Sequence, residues 1–196
     1  MENIKSLLLT KKLLFLLFFV SCSYANQAEF LDKLGVKSGY MIFRDGTELI
    51  SDVVTSADDS EYSHVGMLYN DQGLWRVVHA TPSEKKNQKD GVVVDDFEFF
   101  IDKNRSKKYA IYEVIANENE YEKSVKNTLS QIGREFHYDE KKGIYCTLLL
   151  YRAWQTAGVE LDVKFKKVDF LILKGEYVFL KGFMSSPRLK LVYKSD

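Results

Sequence analysis

Apolar positions along the chain recur with two different periods, and each period predicts its own kind of element. Over residues 118–132 the apolar residues Tyr121, Val125, Leu129 and Ile132 are spaced by four and three, which lines them up on one face of an amphipathic helix closed by Gly133. Residues 145–157 are dense in Leu, Ala, Tyr and Trp without Pro or Gly. Gly143 breaks what precedes this run, and Gly158 suits the left-handed residue that ends a helix. Shorter helices are expected over residues 26–34 ending at Gly35, over 48–57 behind a Thr47 cap, and over 97–103 behind an Asp96 cap, with a further helical turn within 175–184.

Short apolar runs bounded by turn residues predict strands at 40–44, 92–94, 109–114 and 171–173, and an edge strand at 189–193. Residues 62–69 and 74–80 flank Asn70-Asp71-Gln72-Gly73 and predict a β-hairpin. If Asn70 and Gly73 close the turn, paired positions sum to 143. His64 then lies directly opposite His79, with Cβ atoms about 4.5–5.5 Å apart. Gly66 shares the face of His64, where a missing side chain allows close approach, although a bulge would use glycine equally well. Residues 81–91 form a polar, lysine-bearing stretch expected to be an exposed loop with solvated charges. Residues 134–142 are a polar connector holding His137, Tyr138 and Asp139.

With 196 residues, 45% of them hydrophobic and 14% aromatic, the chain can bury one good core, so one domain is expected. A formal net charge of zero and the lack of a basic run interleaved with aromatics argue against nucleic acid as a partner. Lys5, Lys11 and Lys12, the wholly apolar run 13–20 and the small residues Ser23 and Ala25 predict a signal peptide over residues 1–25, cleaved after Ala25, ahead of a domain over 26–196. The apolar run is shorter than the roughly 20 residues of a membrane-spanning helix. Three Lys and one Glu leave with the signal, so the net charge moves from 0 to −2. The expected location is periplasmic or secreted. A second route is lipid modification at Cys22, since Val20-Ser21-Cys22 resembles a lipoprotein signal, and only this route would put the protein on a membrane.

On either route Cys22 is unavailable for a disulfide, which leaves Cys146 as an unpaired thiol in an exported protein. Cys146 falls in the first turn of its helix, where unpaired N–H groups and the helix dipole are expected to lower its pKa and could hold an oxyanion. The competing reading is a small apolar core residue. No CxxC, HExxH, Walker loop, GxGxxG or GxSxG pattern occurs, so no metal and no cofactor is implied. What remains is a thiol, an imidazole to take its proton, and a polar group to fix that imidazole.

Four segments together resemble the circularly permuted papain-like hydrolases of the NlpC/P60 superfamily, and its YiiX/YaeF-like branch in particular. They are Tyr40-Met41-Ile42-Phe43-Arg44, Tyr62-Ser63-His64-Val65-Gly66-Met67, Val77-Val78-His79-Ala80-Thr81-Pro82, and Tyr145-Cys146-Thr147 with Leu150-Tyr151-Arg152-Ala153. The resemblance extends to Ser186-Pro187-Arg188-Leu189. It implies an α+β fold in which an antiparallel sheet packs against helices and the nucleophile stands at a helix N-terminus. It further implies Cys146 as nucleophile, His64 as general base and His79 as the third polar residue, with Tyr138 and Tyr145 against the substrate. Where relatives often carry an acidic residue two positions after the cysteine, this chain has Leu148.

The implied activity is an exported thiol hydrolase, amidase- or peptidase-like, acting through a thioester at Cys146. Its substrate would be a peptide, a cell-wall peptide or an acyl lipid. The rival class is a non-catalytic binding domain with Cys146 buried.

Overall fold

The computed structural model describes residues 29–47, 51, 55, 59–170 and 173–195. The expected signal peptide lies outside them, as does most of the expected helix over 48–57, of which Ser51 and Thr55 are described and helical. Residues 29–33 are helical, and Gly35 follows at φ +67°.

Six antiparallel strands form the main sheet: β1 (Met41–Gly46), β2 (His64–Asp71), β3 (Leu74–Thr81), β4 (Gly91–Asp96), β5 (Ser106–Val114) and β8 (Leu189–Lys194). Their order is β4-β3-β2-β1-β5-β8, so β8 is an edge strand as expected. A separate two-stranded sheet pairs β6 (Phe165–Phe170) with β7 (Leu173–Val178). The helices are α1 (Phe97–Ile101), α2 (Glu118–Leu129), α3 (Cys146–Ala157) and α4 (Leu180–Met184). The helical turn expected within 175–184 is therefore confined to its second half, because residues up to Val178 pair in β7.

Helix α2 starts at a capping box in which the Asn117 side chain accepts from the Glu120 N–H while the Glu120 carboxylate accepts from the Asn117 N–H. It ends at Leu129, short of Ile132. There the chain turns so that the Gly133 N–H bonds Val92 O at 2.9 Å and the Val92 N–H bonds Arg134 O at 2.8 Å, covering the free edge of β4. Helix α3 packs against α2, β2 and β3. Its Trp154 is fully buried edge-on to Tyr121, and Gly158 ends it at φ +95°. Thr128 of α2 reaches Met67 of β2.

The hairpin register differs from the expected one. Asp71 pairs with Leu74 and Met67 with Val78, so partners sum to 145, and the turn residues are Gln72 (φ +53°) and Gly73 (φ +91°). Both corners take positive φ, as a two-residue turn matched to strand twist requires, and glycine occupies the second corner without steric cost. The slip is two residues, so every side chain keeps its face. Continuing the register sets Gly66 opposite His79, and a Cβ on Gly66 would lie 2.4 Å from Val77 Cγ1 and 3.2 Å from His79 Cβ. His64 and His79 are thus diagonal neighbours rather than an opposed pair.

Helix α1 differs from expectation at both ends. Asp96 makes no side-chain cap to α1; its carboxylate instead takes an ion pair from Arg76, its cross-strand partner. Helix α1 stops at Ile101, because Asp102 leaves helical geometry and its backbone oxygen accepts from the Arg105 and Ser106 N–H groups.

Candidate active site

One pocket collects Cys146 and His64 with Arg44, Ser63, Thr81, Glu84 and Arg105 on its polar side. Phe136, Tyr138, Tyr145, Tyr177 and Phe179 make its aromatic wall, so both tyrosines expected against the substrate line it. Cys146 is the first residue of α3, and Tyr145 in extended conformation precedes it. Thr147 Oγ1 donates to Val178 O at 2.6 Å and Tyr145 Oη accepts from the Val178 N–H at 3.3 Å, which ties the helix start to the end of β7. Gly143 fits between the strand-like segments before α3, since a Cβ there would lie 2.4 Å from Glu135 O.

The diagonal histidines meet through their ring nitrogens, His64 Nε2 standing 2.7 Å from His79 Nδ1. His79 is fully buried, and its Nε2 lies 3.0 Å from Asp95 Oδ2. The other Asp95 oxygen receives the Lys85 ammonium. Phe100 of α1 packs against both imidazoles, at 5.7 Å and 5.1 Å between centroids, which holds the pair in place from one side. His137 stands apart; its Nδ1 accepts from the Asp139 N–H.

The thiol is not a ready thiolate. Burial pushes Cys146 up to about 11, against the backbone N–H groups of Val65, Thr147 and Cys146 itself and the charge of Arg44, which all act to lower it. The expected lowering at a helix start is present and outweighed. Burial, the Arg44 charge and His79 in turn hold His64 well below the ordinary imidazole range. The resting pocket therefore holds a neutral thiol and a neutral His64 imidazole.

Charges in the loop after β3 are not all solvated, contrary to expectation. Glu84, with its side chain 3% exposed, pairs with Arg44 and Arg105 and accepts from Thr81 Oγ1 at 2.7 Å. Burial works to raise this carboxyl, but the Arg44 charge and the other partners outweigh it and hold it below its usual value. Asp95 was not visible as a site residue in the sequence, where the strand is expected to stop at Val94. In the observed β3–β4 register His79 faces Val93, so Asp95, two residues on, shares that face.

Residues 35–193 match the family model described as the permuted papain-like amidase enzyme, YaeF/YiiX, C92 family. Among solved structures the chain is similar to the metalloprotein yiiX from Escherichia coli O157:H7. The two are 18% identical, the match covers 81% of this chain and 97% of that one, and the TM-score is 0.69, a likeness of fold. No curated protein matches the chain.

Proposed function

The chain belongs to the permuted papain-like amidase family, and from that premise we propose that it is a cysteine hydrolase with Cys146 as nucleophile, His64 as general base and His79 as the residue that orients His64. The observation that carries this reading is the shared pocket of Cys146 and His64, with the His64 ring fixed from behind by His79 at 2.7 Å. As the Cys146 sulfur attacks an acyl carbon, its proton passes to His64 Nδ1. The oxyanion is held by backbone N–H groups at the start of α3. Collapse of that intermediate expels the amine, which takes the proton from His64 and leaves a thioester. Water then attacks the thioester carbon and gives a proton to His64; collapse returns the thiol and releases the acid.

The substrate proposed is an amide in a peptide or cell-wall peptide, with Tyr138 and Tyr145 against its acyl part. The aromatic wall favours an apolar acyl group, which supports an acyl lipid as the second reading. Export, with residues 1–25 removed after Ala25 or Cys22 lipid-modified, is proposed on the charged and apolar pattern of that segment.

Because the similar E. coli protein is described as a metalloprotein, the fit of a metal ion is a fair question. Among the described residues His64, His79 and Glu84 bring ligand atoms within 4.8 Å of one another. They do not fit an ion in this arrangement. Two nitrogens bound to one zinc at about 2.0–2.1 Å stand roughly 3.4 Å apart in a tetrahedron, whereas these two share a hydrogen bond at 2.7 Å. Glu84 is already committed to two arginines.

A panel of peptide amides, cell-wall peptides and acyl lipids tests the function. Turnover of a member by the native protein and none by Cys146→Ser is expected. Turnover retained by Cys146→Ser would remove Cys146 as the nucleophile, and turnover of no substrate class by the native protein favours the binding-domain reading.

A further inference from the structure

We propose that Asp95 is a positioning residue that sets the proton pattern of both histidines, with Lys85 fixing which way position 95 faces. The proposal rests on the roles given above to Cys146 and His64. Neither Asp95 nor His79 lines the pocket, so Asp95 acts only through the rings.

Asp95 is fully buried, and although burial works to raise its carboxyl, the hydrogen bonds from His79 and Lys85 hold it below the usual range, so it is a carboxylate that can only accept. His79 Nε2 must then carry the hydrogen, and a ring that bears one hydrogen has its Nδ1 bare. A bare Nδ1 accepts, so His64 Nε2 must donate to it across the 2.7 Å contact. The neutral His64 ring then has its lone pair on Nδ1, the nitrogen free to take the thiol proton. One carboxylate thereby orders two rings and leaves the base in its working tautomer. When His64 becomes an imidazolium, the same chain ends on a negative charge.

Lys85 gives the proposal a sharp consequence. Its ammonium donates to one oxygen of Asp95 while His79 uses the other. In Asp95→Asn the amide oxygen is kept toward Lys85, so the amide NH2 faces His79 Nε2. That nitrogen must become the acceptor, His79 Nδ1 acquires the hydrogen, and His64 is driven to carry its own hydrogen on Nδ1. Both rings invert, and the base is lost without loss of volume. Adding Lys85→Met removes the cation that fixes the amide, so it can turn and present its oxygen to His79 again.

The test is nitrogen NMR of the full-length protein with labelled histidine, which reads the protonated ring nitrogen of His64 and His79 directly. Expected are Nε2–H on both rings in the native protein, Nδ1–H on both in Asp95→Asn, and return toward the native pattern in Asp95→Asn with Lys85→Met. The single variant should also slow acylation of Cys146 by on the order of 10²–10⁴-fold, and the double variant should recover part of that loss. Nδ1–H on His79 in the native spectrum overturns the proposal, and that spectrum is decisive even if a variant fails to fold. Native tautomers retained in Asp95→Asn overturn it equally. Because the tautomers are read without substrate, a failure of the proposed hydrolase activity would leave this result standing and be recognised separately.

Discussion

His64 Nε2 and His79 Nδ1 stand 2.7 Å apart although the strands that carry them set the two residues diagonally rather than face to face. Diagonal Cα atoms in a sheet are typically about 7–8 Å apart, a gap long or aromatic side chains can bridge. The contact then uses opposite sides of the two rings, Nε2 of one and Nδ1 of the other. The remaining nitrogen of each is left for a different partner.

That geometry ranks substitutions at position 79. His79 must accept from His64 and donate to Asp95, and a glutamine amide offers an oxygen and an N–H for the same two tasks. A glutamate would set a second carboxylate beside Asp95. We expect His79→Gln to retain more Cys146 acylation than either His79→Glu or His79→Ala, read from acylation rates at matched thermal stability. Equal loss in all three would remove the orienting role.

The pKa directions give two pH limits with opposite signs. The Cys146 thiol is raised from 9.0 to about 11 on folding, so it contributes stability that is present below pH 9 and lost as pH rises toward about 11. His64 is depressed below 6.5, so its contribution is present above pH 6.5 and lost as pH falls, when the unfolded chain gains a proton the folded one refuses. The Tm difference between the native protein and Cys146→Ser should therefore shrink between pH 9 and 11. Iodoacetamide should alkylate the native thiol slowly at pH 6 and faster with rising pH. A fast plateau at pH 6 would instead reveal a thiolate formed in advance.

Glu84 is predicted to be a stability residue of the pocket. Arg44 is 5% exposed, and Glu84→Gln leaves its charge without its buried partner. Removing one side of such a pair costs about 3–5 kcal/mol. Urea unfolding of Glu84→Gln measures this, and a change below about 1 kcal/mol would show that water reaches Arg44.

Much of this fold is legible in the sequence where a local rule decides. The helix of Cys146 is bounded by Gly143 and Gly158, and the observed α3 runs from Cys146 to Ala157. The hairpin is equally plain, yet its register depends on which two residues take positive φ, and Gln72 gives no such signal. The shared face of the histidines is nevertheless as expected, because a slip of two preserves parity. Asp95, Glu84 and the raised thiol are a different matter. Each depends on what the rest of the chain packs around it: the β3–β4 pairing for Asp95, the two arginines for Glu84, and the packing that half-buries Cys146.

Processing of the first residues can be read by intact mass of the protein recovered from the cells that make it. A mature chain starting at Asn26 is expected. A lipid-bearing Cys22 would instead support anchorage on a membrane surface, and retention of Met1 with no modification would contradict export.

Trapping the acyl intermediate shows whether Cys146 is a nucleophile served by His64. The native protein is treated with an activated acyl ester, quenched in acid, and examined by intact mass and peptide mapping. One acyl group on Cys146 is expected, with none at that position in Cys146→Ser and acylation slowed by about 10²-fold or more in a folded His64→Ala variant. An unacylated Cys146 in the native protein, or acylation that proceeds unchanged in His64→Ala, would contradict that role.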